Sequence, residues 1–159
     1  MRLGIISDTH GKLPAQVFNV FAEVDRILHA GDVGGPDVLV ELEALAPVTA
    51  VFGNTDGFEL RARCPQVAKL ELDGFIVVVT HGDQFGMPTP RILHHAFPDA
   101  EIIVFGHTHE PLLQLVDLTV TVVNPGSVGA PPRDGGATVG ILELEPGIPP
   151  RGRIVELAM

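Results

Sequence analysis

Glu101-Ile102-Ile103-Val104-Phe105-Gly106-His107-Thr108-His109 is an apolar, β-branched run cut by a glycine and followed by two histidines at a spacing of two. Such a run reads as a buried strand that stops at Gly106. Side chains two residues apart in extended backbone project to one side, so His107 and His109 have a chelating geometry. The N-terminus repeats the device, with Leu3-Gly4-Ile5-Ile6 running into Ser7-Asp8-Thr9-His10. Three further apolar runs end the same way, in Ala30-Gly31-Asp32, in Gly53-Asn54-Thr55-Asp56 and in His81-Gly82-Asp83. The chain thus offers seven potential metal ligands, Asp8, His10, Asp32, Asn54, His81, His107 and His109, each at or just beyond a strand end.

Outward from these strand ends, the first half alternates strand and helix. Strands are expected at 3–6, 26–29 and 48–52, with helices at 14–22 and 36–45 between them; apolar residues at helical spacing and Pro14 and Pro36 at first-turn positions carry the two helices. A βαβαβ order favours parallel pairing, with ligands gathered beyond the carboxyl ends of the strands. The second half changes to hairpins. Strands at 67–72 and 75–80 are joined by Asp73-Gly74, and strands at 112–116 and 119–123 by Asp117-Leu118. A short helix is expected at 90–96, a strand at 137–144, and a last strand at 153–157 after a proline-rich loop at 146–150. Two mixed sheets packed face to face, with helices outside, fit this order. No repeat or linker divides the chain, so 1–159 reads as a single domain.

The totals bound the function. A chain of 159 residues can bury roughly 70% of its unfolded surface and fold without disulfides. A net charge of −10 argues against a broad nucleic-acid or anionic-membrane surface. The only cysteine, Cys64, excludes an intramolecular disulfide and a thiolate cage, so any metal here has nitrogen and oxygen ligands. The apolar start is cut at Ser7-Asp8, too early for a secretory leader, and the run 75–79 is far shorter than the roughly 20 residues of a spanning helix. A cytoplasmic protein is expected.

Each motif alone has a plainer reading as a turn or cap, since Gly, Asn and Asp are turn formers. Five strand ends in succession bearing Asp, His or Asn are a specific combination. Seven ligands with one carboxylate shared make two sites, and a pair of ions roughly 3.5–4 Å apart is the arrangement that phosphoryl transfer uses. The ordered set Asp8-x-His10, Gly31-Asp32, Gly53-Asn54, His81-Gly82 and Gly106-His107-x-His109, with Asn124-Pro125-Gly126-Ser127, resembles the calcineurin-like metallophosphoesterase superfamily and its small bacterial and archaeal phosphodiesterase branch. The resemblance implies an α/β fold, a four-layer αββα sandwich of two mixed sheets flanked by helices. It also implies a dinuclear, metal-dependent phosphodiesterase in which a metal-bridging hydroxide attacks phosphorus in line. Asp8, His10, Asp32 and His109 would hold one ion and Asp32, Asn54, His81 and His107 the other, with Asp32 as the bridge. Asp32, Asn54 and His107 are the residues it assigns to catalysis. Mn²⁺ is the first choice of metal, with Fe²⁺, Ni²⁺, Co²⁺ or Zn²⁺ compatible with the donor set.

Two positions depart from the family pattern. Thr55 stands where many members carry a histidine thought to protonate the leaving group, and threonine has no matched pKa for that task. Asp83 stands where a histidine is expected, either adjusting the pocket charge or simply lying on the surface. His29 is read as a packed strand-end residue, and the neighbours His94 and His95, about 100° apart on a helix, as unsuited to one ion. Asp56 and Ser127 are candidate partners for ligating imidazoles. Arg133 is a candidate phosphate contact, and Phe58 and Leu60 are apolar loop residues suited to a homo-oligomer contact. Three functions follow in order: a phosphodiesterase acting on a small diester, a non-catalytic protein-interaction scaffold on the same fold, and a nuclease or nucleotidase of the same superfamily.

Overall fold

The computed structural model describes residues 1–158. Its first sheet is built from β1 (Arg2–Ile6), β2 (Arg26–His29), β3 (Val48–Ala50), β9 (Thr138–Glu145) and β10 (Ile148–Glu156). The second contains β4 (Val67–Leu72), β5 (Phe75–Thr80), β6 (Ile102–Val104), β7 (Leu112–Val116) and β8 (Val120–Asn124). Helices α1 (Ala15–Val20), α2 (Pro36–Glu43), α3 (Phe58–Arg63) and α4 (Pro90–Ala96) complete the elements. The strand orders are β10-β9-β1-β2-β3 and β4-β5-β6-β8-β7. Both sheets are mixed: β1, β2 and β3 run parallel, as do β5, β6 and β8, while β9, β10, β4 and β7 pair antiparallel.

Three apolar cores separate four layers. Leu3, Ile5, Leu28, Val77, Val79, Ile102 and Val104 interdigitate between the sheets. Val17 and Phe21 from the α1 region, with Val38, Leu39 and Leu42 from α2, pack on the outer face of the first sheet against Ile6 and Ile27. Leu93 of α4 covers the second sheet at Val78, Ile103 and Val122. Alternation explains the division: odd residues of β1 face one core and Ile6 faces the other, as a two-residue period requires. The helix α4 begins where Thr89 Oγ accepts the Ile92 N–H at 3.2 Å and Pro90 takes the first turn. Truncating a fully buried anchor such as Leu42 to alanine would cost about 2–5 kcal/mol.

Several sequence expectations are corrected. The segment around Phe58 and Leu60 is the helix α3 rather than a loop; Leu60 is buried in the core while Phe58 is 88% exposed, so Leu60 is not available for a subunit contact. Six residues are too few for a helical period to register, and tertiary packing decides the segment. The proline-rich stretch 146–150 is not a loop leading to a short strand. It contains the turn and first residues of β10, which pairs along β9 with a register shift between Ile148 and Arg151. Pro149 and Pro150 are tolerated because β10 is an edge strand and the irregularity falls at them. The helices α1 and α2 are shorter than expected, and β3 ends at Ala50 rather than residue 52.

Candidate metal centre

Parallel strands β1, β2, β3, β5 and β6 all end on one edge of the sandwich, and their loops carry the seven candidate ligands there. The loops after β1 and β2 are zipped together by backbone bonds, Asp8 N–H to Gly31 O (3.0 Å), His10 N–H to Asp32 O (3.0 Å) and Gly11 N–H to Val33 O (2.8 Å). Five of the seven candidates have left-handed backbone: Asp8 (φ 53°), His10 (48°), Asp32 (51°), His107 (71°) and His109 (64°). Asp and His enter this region more readily than most residues, and conformations of this kind persist where the surroundings over-determine them.

Asp8 is fully buried, with Oδ2 accepting from Ser7 Oγ (2.6 Å) and the His107 N–H (3.2 Å). Its Oδ1 has no hydrogen-bond partner, and neither does the buried Nε2 of His10. His109 Nε2 lies 3.1 Å from that Oδ1, and His10 Nε2 3.7 Å from it. Asp32 Oδ2 lies 3.2 Å from His81 Nε2 and 3.9 Å from His10 Nε2. Asn54 Oδ1 is 3.1 Å from His81 Nε2, and the His107 and His81 rings meet edge-on at 5.2 Å. All seven candidates therefore converge. Asp8, His10 and His109 form one close group of ligand atoms and Asp8, Asp32 and His81 another.

The chemistry of this donor set fits a cation. His81 Nδ1 lies 2.8 Å from the Ala30 carbonyl, which only accepts, so Nδ1 carries the proton. The Nε2 lone pair of neutral His81 then faces two more acceptors, Asp32 Oδ2 and Asn54 Oδ1. Only a proton or a metal ion reconciles three acceptors at such distances. Electrostatics agree with that need. Burial pulls His81 down, but Asp32 and Asp8 outweigh it and raise its pKa. The Asp8 carboxylate raises His109 against a smaller opposing effect of burial. Burial would raise Asp32, yet His81 and the Thr55 N–H hold it well below the usual carboxylate range.

Gly53 and Gly106 explain why glycine precedes the ligands. A Cβ on Gly53 would sit 2.6 Å from Asp32 N and against its carboxylate, and one on Gly106 would meet Ser7 Oγ and lie 2.6 Å from Asp8 Oδ2. The backbone of each loop occupies the space beside a neighbouring carboxylate. Asp56 knots two loops together, its carboxylate accepting the N–H groups of Val33 (3.1 Å), Gly34 (2.9 Å) and Gly53 (2.9 Å). It touches no imidazole, contrary to the role foreseen for it. Ser127 Oγ donates to the Asp8 carbonyl at 2.8 Å and so braces a ligand's backbone rather than a ring. The imidazole partner is the Ala30 carbonyl, which no side-chain pattern reveals.

The remaining candidates fall outside the cluster. Asp83 opens a 3-10 turn, Asp83–Phe85, and among the described residues it pairs with none of the histidines. His94 Nε2 meets Asp117 at 3.3 Å. Arg133 lines a cavity of about 470 Å³ with Glu110, Asp134 and Glu156, and no candidate ligand lines it. His29, fully buried, bonds Thr9 and Gly31 and is a packed strand-end residue, and burial pushes its pKa down to about 4.

A two-sheet sandwich presenting histidines, carboxylates and an asparagine at one edge defines a class of metal-dependent phosphoesterases. The profile of the calcineurin-like phosphoesterase superfamily domain matches residues 1–147, and the chain belongs to that superfamily. A probable metallophosphoesterase of Methanothermobacter thermautotrophicus is 37% identical over 141 residues, spanning 82% of this chain and 79% of that protein. A phosphodiesterase of Methanocaldococcus jannaschii is 30% identical over 167 residues, 91% of this chain and 94% of its own. Wild-type Vps29 from Entamoeba histolytica, solved complexed with zinc, superposes with a TM-score of 0.77 at 20% identity, over 99% of this chain and 100% of that one; at this identity the likeness concerns the fold. No helix among the described residues is long and apolar enough to cross a membrane.

Proposed function

We propose that the protein is a cytoplasmic phosphodiesterase that works with two divalent transition-metal ions on a small phosphodiester. The observation that carries the reading is the buried Asp8 Oδ1, faced by His109 Nε2 at 3.1 Å and by the unbonded His10 Nε2 at 3.7 Å, beside the acceptor-facing Nε2 of His81. Asp8, His10, Asp32 and His109 would hold one ion and Asp32, Asn54, His81 and His107 the other. When bound, such a pair supplies Lewis acidity toward a phosphoryl oxygen and a nucleophile competent at neutral pH. Mn²⁺ is the first candidate, and the zinc in the Vps29 structure keeps Zn²⁺ beside Fe²⁺, Ni²⁺ and Co²⁺.

The chain's own residues supply the rest. Asp32 is anchored as an anion by the Thr55 N–H at 3.0 Å, which leaves its second oxygen toward His81 and His10. His81 is oriented by Ala30, and Asn54 adds a neutral acceptor. His107, like His10 and His109, is less buried than His81 and remains open to a phosphoryl oxygen. Thr55 offers no proton of matched pKa, which favours diesters with good leaving groups over monoesters. The phosphodiesterase of M. jannaschii supports the diester preference. A scaffold role is the poorer reading, because a protein without chemistry gains nothing from unpartnered buried polar atoms that cost about 1–3 kcal/mol each.

The test is hydrolysis of bis(p-nitrophenyl) phosphate by metal-stripped protein before and after Mn²⁺, with p-nitrophenyl phosphate and Asp32→Ala run alongside. Metal-restored diester cleavage, weaker monoester cleavage and a loss of roughly 100-fold or more in Asp32→Ala are expected. Full activity in Asp32→Ala would refute the site.

A further inference from the structure

Between Asp8 and His10 stands Thr9, a residue that no metal-ligand pattern uses and that is nonetheless fully buried. Its Oγ lies 3.0 Å from His29 Nε2 and 2.7 Å from the Val33 carbonyl. Proton positions follow from the partners. The Gly31 N–H donates to His29 Nδ1 at 3.2 Å, so Nδ1 is the bare nitrogen and Nε2–H donates to Thr9 Oγ. The Val33 carbonyl can only accept, so the Thr9 hydroxyl gives its single proton there. The chain His29 Nε2–H to Thr9 O–H to Val33 O is complete in one direction and has no spare donor.

We infer that His29 and Thr9 are positioning residues for the metal centre: their hydrogen-bond chain fixes the backbone of the Asp8–His10 loop against the end of β2. The inference rests on the proposed metal site and deepens it. Asp8 and His10 both have left-handed backbone, and Thr9 between them carries the side-chain tie. The backbone zipper from Gly31, Asp32 and Val33 sets the separation of the loops, while the Thr9 tie sets the rotation of the loop about that line. That rotation decides whether Asp8 Oδ1 and His10 Nε2 point into the same space, where they lie 3.7 Å apart. Val33 links the tie to Asp56 as well, since the Val33 N–H donates to Asp56 Oδ2 at 3.1 Å. Outer partners of ligand groups typically account for 10–100-fold in metal affinity.

Two measurements test this. The first is calorimetric titration of Mn²⁺, and of Co²⁺ with its d–d absorption, into metal-stripped wild type, Thr9→Val, Thr9→Ser and His29→Gln. Thr9→Val keeps the shape and loses both hydrogen bonds, so its affinity should fall roughly 10–100-fold and its Co²⁺ spectrum should change. Thr9→Ser keeps the hydroxyl, and His29→Gln keeps an N–H at the position of Nε2, so both should stay close to wild type. Thr9→Val binding Mn²⁺ as tightly as wild type, with only its melting temperature lowered, would overturn the inference. Wild type binding neither ion would instead defeat the proposed metal site. The second needs no variant and holds if Thr9→Val does not fold: ¹⁵N NMR of wild type should show the His29 ring protonated at Nε2, with that proton slow to exchange. A ring protonated at Nδ1 would overturn the inference as well.

Discussion

The two ends of the sandwich use the same uncommon backbone for opposite purposes. At the far end, Asp73 (φ 49°) is left-handed in a two-residue hairpin turn, and Asp117 (50°) and Leu118 (61°) are left-handed in a three-residue one. The conformation there is local: the turn type demands it and the flanking strands repay it through their ladders. At the site end, Asp8, His10, Asp32, His107 and His109 are left-handed in loops that have no hairpin partner. Asp8, His10, Asp32 and His107 are held by bonds to residues 22 to 121 positions away, such as the Gly31 and Gly129 backbone contacts of Asp8 and the His107 N–H on its carboxylate. One end is shaped by its nearest neighbours in sequence, the other by the assembled fold. Disturbing the first should cost stability alone, and disturbing the second should cost chemistry too.

The largest effect should come from adding one methyl group at each end. In Gly53→Ala the new Cβ meets the Asp32 carboxylate and backbone, so Asp32 or the Asn54 loop must shift. Overpacking of this kind costs about 1–3 kcal/mol, and a displacement approaching 1 Å costs on the order of 100-fold in rate. In Gly74→Ala nothing lies within 4 Å, and only the left-handed conformation (φ 84°) is penalised, at about 1 kcal/mol. Urea unfolding should show both variants destabilised. Metal-dependent diester cleavage should be lost in Gly53→Ala alone, and equal activities would erase the distinction between the ends.

The same division explains what the sequence made legible. Strand ends carrying His107, His109, Asp8 and His10 declare themselves because residue type and spacing are chemistry in themselves, and the hairpins at Asp73-Gly74 and Asp117-Leu118 declare themselves because turn residues are local. The two mixed sheets and the outer helices follow from these. The helix α3 stayed hidden because six residues hold less than two helical turns. The extent of β10 stayed hidden because prolines mark a loop unless an edge strand accepts them. Within the site, the invisible parts are ties between residues distant in sequence: Asp56 to three loop amides, Ala30 to His81, and Thr9 to His29. No periodicity encodes a partner 20 or 51 residues away.

His29 gives the site end a second signature, in acid. Burial lowers its pKa from 6.5 to about 4, so between those values the unfolded chain binds a proton that the folded one does not. Its contribution is therefore intact above pH 6.5 and is lost as pH falls toward 4, an effect of about 3 kcal/mol. His81 and His109 have the opposite sign. Their raised values give metal-free protein a stabilisation present below pH 6.5 and lost at higher pH, so they do not mask the acid limb. Urea unfolding of metal-stripped protein at pH 6.5, 5.2 and 4 should show a steeper decline in wild type than in His29→Gln. Parallel declines would mean that His29 takes up its proton in the folded state.

Leu118 sharpens the comparison from the other side and with the smallest effect. A branched side chain in the left-handed region costs about 1–2 kcal/mol relative to an ordinary conformation. Leu118 is 88% exposed, so little burial offsets that cost, and its turn is closed by the Thr119 N–H to Val116 O bond at 3.1 Å. Leu118→Gly creates the Asp-Gly pair that this hairpin geometry prefers, while the greater freedom of glycine in the unfolded chain takes back part of the gain. The net expectation is a stabilisation of about 1 kcal/mol, seen as a rise of about 2–4 °C in the melting temperature. Mn²⁺ affinity should not move, because nothing at this turn reaches the strand ends. If the melting temperature fell instead, the strain at Leu118 would be compensated by contacts of its side chain, and the far end would be as dependent on the assembled fold as the metal centre.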